Sequence, residues 1–335
     1  MYCLNQLQTY IKDKQFSQIF ILTDENTGEY CLPLLLEKVE AIADYGATLL
    51  EIPSGEESKS FETIKNLSSS LLESNADKHS LLISLGGGVV SDIGGFLASI
   101  YKRGIQNINI PTSLLSMVDA AIGYKTGINL NGIKNAIGTF NIDTLTFFDT
   151  SFLQTLSDKE ILSGVGEMLK TFLVADKEFL MRFIKKNNVK EIEDEFIFRC
   201  VELKEQIVRQ DVLDKGKRKI LNFGHTLGHA FESYYSSFPK DKQLSHGEAV
   251  AVGIYYALKL SEKKYNIKTQ IFAPVYTFLS QHFIIIPPLQ ENFNQIRPLL
   301  YNDKKTISNT LHFVLLKDIA EPQIDVKVFE EEICC

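Results

Sequence analysis

Ser80–Phe96 reads SLLISLGGGVVSDIGGF. The apolar run from Ser80 to Leu85 is what a fully buried strand takes, and glycines follow it directly before a helical pattern from Val90 to Tyr101. Upstream, Gln18–Thr23 (QIFILT) and Ala47–Ile52 read as two more strands, with helices at Leu34–Asp44 and Ser60–Glu73. A βαβαβ order predicts a parallel sheet in an α/β domain. Glycines at a strand end let backbone N–H groups approach a pyrophosphate, and the helix start adds unpaired donors and partial positive charge. The stretch therefore reads as a dinucleotide-phosphate turn. Alone it is a weak signal: Gly86, Gly88 and Ser91 give G-x-G-x-x-S, one glycine short of the fingerprint and after the third strand instead of the first. A tight turn with no ligand fits the same residues. Asp24 and Asn26 after the first strand, and Glu56 and Lys59 after the second, put polar groups at the carboxyl edge of the sheet, where cofactors bind, although Asp24 or Ser58 would also serve as a helix cap.

Between Ile105 and Asp149 a fourth strand leads through Pro-Thr-Ser into a glycine-punctuated segment carrying Asp119, Lys125, Lys134 and Asn135. Lysines in glycine-rich backbone between apolar stretches suggest partial burial and a role in binding anions or hydroxyls; exposed loop lysines are the alternative. From Thr155 onward the spacing is helical, over Ser157–Val174, Lys177–Lys186, Ile192–Gln210, Arg218–Tyr235 and His246–Lys263, with no strong strand before Leu311–Leu316. We therefore expect an α/β domain over residues 1–152 and an all-α domain over 153–335. YNDKKT at Tyr301–Thr306 is a polar turn in which Lys304 is a candidate anion contact.

The chemistry concentrates in RKILNFGHTLGHA, Arg218–Ala230, and LSHGEA, Leu244–Ala249. His225 and His246 lie on successive predicted helices and offer two donors to one metal. Glu167 in SGVGEMLK, with Lys170 one turn on, is the candidate third. Two imidazoles and a carboxylate leave a coordination position open, as catalytic zinc sites do. His225 and His229, at i and i+4, are also spaced to bind one metal together.

The 335 residues, 44% of them hydrophobic, suffice for two cores. A net charge of −7 and a pI near 5.5 argue against nucleic acid as a partner, since phosphate backbones attract a basic face. Five cysteines, Cys3, Cys31, Cys200, Cys334 and Cys335, without CxxC spacing suit free thiols in a reducing compartment. With no signal-peptide pattern and no long uncharged apolar run, the expected location is cytoplasmic, with no membrane contact.

LGGGVVSD, PTSLLSMVDAAIGYKTGIN, GIKNAIGTF, GVGEMLK, LNFGHTLGHA and SHGEAVAVG, in that order, resemble the motifs of the 3-dehydroquinate synthase family of the sugar-phosphate cyclase superfamily, over about Asp24 to Lys305. The resemblance implies a Rossmann-like NAD domain, a helical domain, one divalent metal (zinc, with cobalt as the alternative ion) and a homodimer. It implies a small-molecule partner, the phosphorylated keto-acid sugar 3-deoxy-D-arabino-heptulosonate 7-phosphate, which a carbon-oxygen lyase converts to 3-dehydroquinate and phosphate in the second step of the shikimate pathway. The implied course is transient oxidation by NAD, phosphate elimination, re-reduction and intramolecular aldol closure. Another sugar-phosphate cyclase, or a metal-dependent polyol or alcohol dehydrogenase relative, is the alternative. Carried over, the family's metal ligands fall on Glu167, His225 and His246. Its catalytic and substrate contacts fall on Asp119, Lys125, Asn135, Lys170, Lys204, Arg218, Asn222, His229 and Lys304, with Arg103 matching an arginine that reaches the neighbouring subunit. Its NAD contacts fall on Asp24, Asn26, Glu56, Lys59, Gly87, Gly88, Val89, Asp92, Thr112, Ser113, Lys134, Phe152, Thr155 and Leu156. The chain departs from the pattern at Tyr124 and Ser91, which stand at usual glycines, and at Asp214, which stands at a usual glutamate.

Overall fold

The computed structural model describes residues 2–186, 188–284, 293–301 and 310–333. Lys304, Cys334 and Cys335 lie outside the described residues. Two compact units divide the chain, Met1–Ser157 and Asp158–Cys335.

The first unit is built on a six-stranded sheet from β1 (Tyr2–Cys3), β2 (Ile19–Asp24), β3 (Thr48–Ile52), β4 (Leu81–Gly86), β5 (Gln106–Pro111) and β8 (Leu145–Phe148), in the order β1-β8-β5-β4-β2-β3. Every pairing is parallel. Parallel strands are covered on both faces and so read as unbroken apolar runs, and β4 is buried at every position. On one face the Gly88–Ile100 helix lies so close to β4 that a Cβ on Gly94 would overlap the Ser84 side chain. Phe20, Leu22, Leu82, Ile93 and Leu97 form part of the core between them.

Two readings of this unit need correction. The helix expected at Leu34–Asp44 is two, Leu32–Lys38 and Glu40–Asp44, broken at Val39 (φ −131°, ψ 75°). There the Ala41 N–H donates to Gln8 Oε1 at 2.9 Å instead of to a helical carbonyl. The glycine-punctuated segment is an antiparallel hairpin of β6 (Lys125–Leu130) and β7 (Ile133–Phe140). Its turn is Asn131-Gly132, with φ of 50° and 79°, the paired positive values a two-residue hairpin turn requires. Lys125 and Lys134 are exposed on this hairpin; the expected partial burial is not found.

The second unit is helical as expected, with one antiparallel pair added: β9 (Thr310–Leu316), the β run noted at Leu311–Leu316, and β10 (Pro322–Phe329). Its main helices are Asp158–Ala175, Lys177–Phe183, Asp194–Gln210, His225–Tyr235 and His246–Tyr265. Arg218–Tyr235 is not one helix: a 3-10 turn at Lys217–Asn222 ends before Gly224, whose φ of 78° re-aims the chain and starts the next helix at His225. No helix among the described residues is long and apolar enough to cross a membrane.

Candidate active-site residues

The Asp158–Ala175 helix is buried along most of its length, including Glu167 at 0% and Lys170 at 1% exposure. Burying a charge is costly unless it is paired, and these two form an i,i+3 ion pair. Gly166 and Gly247 allow the helix to meet His246–Tyr265 backbone to backbone: a Cβ on Gly166 would overlap the Gly247 carbonyl, and one on Gly247 the Ser163 carbonyl. Glu167 and His246, each adjacent to one of these glycines, are thereby brought together. Ser245 caps the second helix in a reciprocal box with Glu248, which places His246 at the first helical position.

His246 Nε2 lies 3.2 Å and His225 Nε2 3.4 Å from Glu167 Oε1. His229 joins them, and ligand nitrogens of His225, His229 and His246 all lie within 4.8 Å of one another. The far sides of two rings are held as well. His225 Nδ1 faces the Phe223 carbonyl at 3.2 Å, and His246 Nδ1 faces Glu232 Oε2 at 3.2 Å. A proton kept on Nδ1 leaves the Nε2 lone pair directed inward, the arrangement of metal-binding imidazoles. Burial raises the Glu167 carboxyl, but Lys170 and the two imidazoles outweigh it and hold the group well below the usual carboxylate range. Burial pushes His225 down to about 3. It acts in the same direction on His246, where the carboxylates of Glu167 and Glu232 on either side overcome it and raise the group to about 10. The contacts that offset the burial of Glu167 come from Lys170, His225 and His246. One carboxylate and two or three imidazoles fit a divalent cation of the zinc class.

Lys204 and Arg218, both 5% exposed, are buried in this unit, which rules out a plain solvated face for Lys204. Arg218 is fixed by its own loop. The Asp211 carboxylate accepts from the N–H groups of Lys215 (3.0 Å), Gly216 (2.7 Å) and Arg218 (3.0 Å), and Arg218 Nη1 donates to the Val212 carbonyl at 2.9 Å. Asn222 is exposed at the end of the following turn.

In the first unit, Gly87 caps the Gly88–Ile100 helix with no side-chain hydrogen bond, and the first turn through Val89 has no acidic residue. Thr112 N–H donates to the Gly86 carbonyl at 3.1 Å, which sets Thr112 and Ser113 beside that helix start. This end suits an anionic group such as a pyrophosphate. Lys59, 4% exposed, donates to Asp92 Oδ2 at 2.7 Å and to Asn135 Oδ1, with Glu56 Oε1 at 3.7 Å. Burial raises Asp92 to about 6 despite Lys59, with Glu56 and Asp119 adding to the rise. Asp24 does cap a helix, in a reciprocal box with Thr27, and Asn26 is exposed in that helix. Asp119 lies in the Ser116–Ala120 turn, Arg103 is exposed at φ 68°, and Phe152 is buried in the Thr150–Thr155 turn that precedes Leu156. Tyr124 takes φ 66°, so the chain before Lys125 keeps a glycine-like conformation with a tyrosine in place.

Three residues were missed in the sequence. Glu232 lies three residues after His229, on the same helix face, and helical spacing could have found it. Asp211 has only its place at a helix end to mark it. Asn129, which joins Glu56 to the Asn135 backbone, has no signal apart from the unread hairpin.

A family model described as 3-dehydroquinate synthase N-terminal matches residues 49–163, and one described as 3-dehydroquinate synthase C-terminal matches 164–306. The 3-dehydroquinate synthase of Parabacteroides distasonis is 38% identical over 333 residues, 98% of this chain and 93% of the relative. The chain belongs to the 3-dehydroquinate synthase family. A crystal structure of 2-deoxy-scyllo-inosose synthase with carbaglucose-6-phosphate, NAD+ and Co2+ is similar with a TM-score of 0.85 at 25% identity, covering 98% of this chain and 92% of that one. A 2-epi-5-epi-valiolone synthase from Streptomyces hygroscopicus subsp. jinggangensis, with NAD+ and Zn2+ bound, shares the fold of this chain at a TM-score of 0.78 and 24% identity, covering 94% of this chain and 88% of that one.

Proposed function

We propose that this chain is a 3-dehydroquinate synthase that converts 3-deoxy-D-arabino-heptulosonate 7-phosphate to 3-dehydroquinate and phosphate, with NAD and one divalent ion as cofactors. The supporting observation is the meeting of Glu167, His225 and His246 around one point, in a chain 38% identical to a 3-dehydroquinate synthase over nearly its full length. Residues 1–152 form the nucleotide-binding domain, which also contributes Asp119, Lys125 and Asn135 to the substrate; residues 153–335 hold the metal and the other substrate contacts, with Thr155 and Leu156 reaching the nucleotide. Zinc as the ion, a homodimer in which Arg103 serves the neighbouring subunit, and a cytoplasmic location belong to the same proposal.

When bound, the divalent ion polarises a substrate hydroxyl, and NAD takes up and returns the hydride. The chain's own residues bind and orient. Glu167, His225 and His246 hold the ion. The helix start at Gly87, Gly88 and Val89, with Thr112 and Ser113, receives the pyrophosphate. Asp24, Asn26, Glu56, Lys59, Asp92, Lys134, Phe152, Thr155 and Leu156 bind the rest of the nucleotide. Lys125, Lys170, Lys204, Arg218 and Lys304 neutralise the substrate's phosphate and carboxylate, while Asp119, Asn135, Asn222 and His229 fix its hydroxyls. Holding one reactive conformer in this way contributes by orientation without a dedicated base at every step.

The likeness to 2-deoxy-scyllo-inosose synthase supports a second reading, a cyclase for another sugar phosphate. Phosphate release is measured with NAD and zinc on the seven-carbon keto-acid phosphate, a hexose phosphate and a sedoheptulose phosphate. We expect turnover of the first alone; turnover of another sugar with none of the first would overturn the proposal.

A further inference from the structure

We propose that Asn129 is a positioning residue that joins the Glu56–Lys59 turn to a bulge carrying Lys134 and Asn135, and so holds the nucleotide and substrate contacts of the first unit in register; this rests on the functional reading above. Pairing of β6 with β7 runs regularly from Lys125 opposite Phe140 to Ile128 opposite Ile137, then jumps to Leu130 opposite Ile133. Lys134, Asn135 and Ala136 thus share one opposing residue, Asn129. A bulge deprives backbone groups of their ladder partners, and Asn135 additionally adopts φ 51°. Asn129 supplies a missing partner: its Oδ1 accepts the Asn135 N–H at 2.8 Å. Its Nδ2 donates to Glu56 Oε1 at 2.9 Å, and its backbone N–H donates to the Lys59 carbonyl at 2.9 Å.

A side-chain amide offers an acceptor at one end and donors at the other, and here an N–H faces the first and a carboxylate the second. Its orientation is therefore determined, and no other side chain of that size satisfies both ends. Aspartate would keep the acceptor for Asn135 but set a second carboxylate against Glu56. The Lys59 ammonium closes the ring by donating to Asn135 Oδ1 and to Asp92. Glu56, Lys59, Asn129 and Asn135 are thus one hydrogen-bonded unit, and a shift at Asn129 moves groups assigned to both ligands.

The test is a double-mutant cycle in the full-length chain, read by NAD dissociation constant and by KM for the heptulosonate phosphate. Asn129→Asp should weaken NAD binding about tenfold in the native background and under about threefold in a Glu56→Gln background, where the glutamine amide can donate to the new carboxylate. Equal costs in both backgrounds would overturn the proposal. If Asn129→Asp does not fold while the double variant does, the pairing is upheld. Amide hydrogen exchange gives a second readout independent of activity: in Asn129→Ala the Asn135 N–H should exchange about tenfold faster, and unchanged exchange would overturn the proposal. If the unaltered chain binds no NAD, the functional reading fails too, an outcome distinct from equal costs in a chain that binds it.

Discussion

The proposed metal centre depends on groups that would not touch the ion. A neutral imidazole carries one proton, and the group at its far nitrogen decides which side presents the lone pair. For His225 that group is a backbone carbonyl, which mutation cannot remove; for His246 it is the Glu232 carboxylate at 3.2 Å. Replacing Glu232 by alanine should therefore weaken divalent-ion binding about 10- to 100-fold without removing a ligand. Glutamine, which still offers an acceptor oxygen, should fall between alanine and the native residue. Chelator competition against zinc measures this directly, and activity lost at limiting zinc should return at excess zinc. An unchanged zinc affinity in Glu232→Ala would show that His246 is oriented by other means.

Among the elements, the contact between the Asp158–Ala175 and His246–Tyr265 helices carries the site. Glycine inside a helix ordinarily costs about 0.5–1 kcal/mol relative to alanine, so Gly→Ala changes tend to stabilise. At Gly247 the sign should reverse, because the new methyl would meet the Ser163 carbonyl, and backbone cannot move aside as a side-chain tip can. We expect Gly247→Ala to cost about 1–3 kcal/mol, seen as a lower Tm, and to reduce zinc content as Glu167 and His246 are forced apart. Native zinc content at a native Tm would contradict this account. The Asp211–Arg218 loop has a pH signature. N–H donation from Lys215 and Gly216, with the nearby Arg218 charge, outweighs partial burial and holds the Asp211 carboxyl below its usual value. A depressed acid contributes stability above its unfolded pKa, about 3.9, and that contribution is lost as pH falls through the folded value. Protection of the Lys215, Gly216 and Arg218 amides, taken relative to the intrinsic exchange rate at each pH, should therefore hold at neutral pH and fall below about pH 4. In Asp211→Asn it should be lowered at neutral pH already; protection unchanged there would show that the loop is held by other contacts.

For the whole molecule, sequence was most legible where one physical cause acts alone. The buried parallel strands were found because burial on both faces leaves an unbroken apolar run; Glu167, His225 and His246 were named as metal-donor residue types on predicted helices, and the structure places both imidazoles within 3.4 Å of Glu167. The β6/β7 hairpin was missed although Asn131-Gly132 is a strong turn signal, since Gly127 and Gly138 inside the strands and the bulge at Lys134–Ala136 break the two-residue alternation. The partners are less legible: Glu232 is marked only by its helical spacing from His229 and Asp211 only by its place at a helix end, while Asn129 acts through a hydrogen bond across a hairpin that was not read. The division into two units, each with its own core, has a consequence for ligand binding. A ligand that binds only the folded state stabilises it by RT ln(1 + [L]/Kd), about 4 kcal/mol at a thousandfold excess over Kd, and it slows local opening chiefly in the elements it touches. Zinc should therefore slow amide exchange in the Asp158–Ala175, His225–Tyr235 and His246–Tyr265 helices. NAD should do so at β4, at the start of the Gly88–Ile100 helix and at the Glu56–Lys59 turn. Exchange mapped by mass spectrometry with each ligand alone separates the two patterns. If zinc protected the first set no more than the second, the ion would be bound elsewhere than at Glu167, His225 and His246, whatever activity it supported.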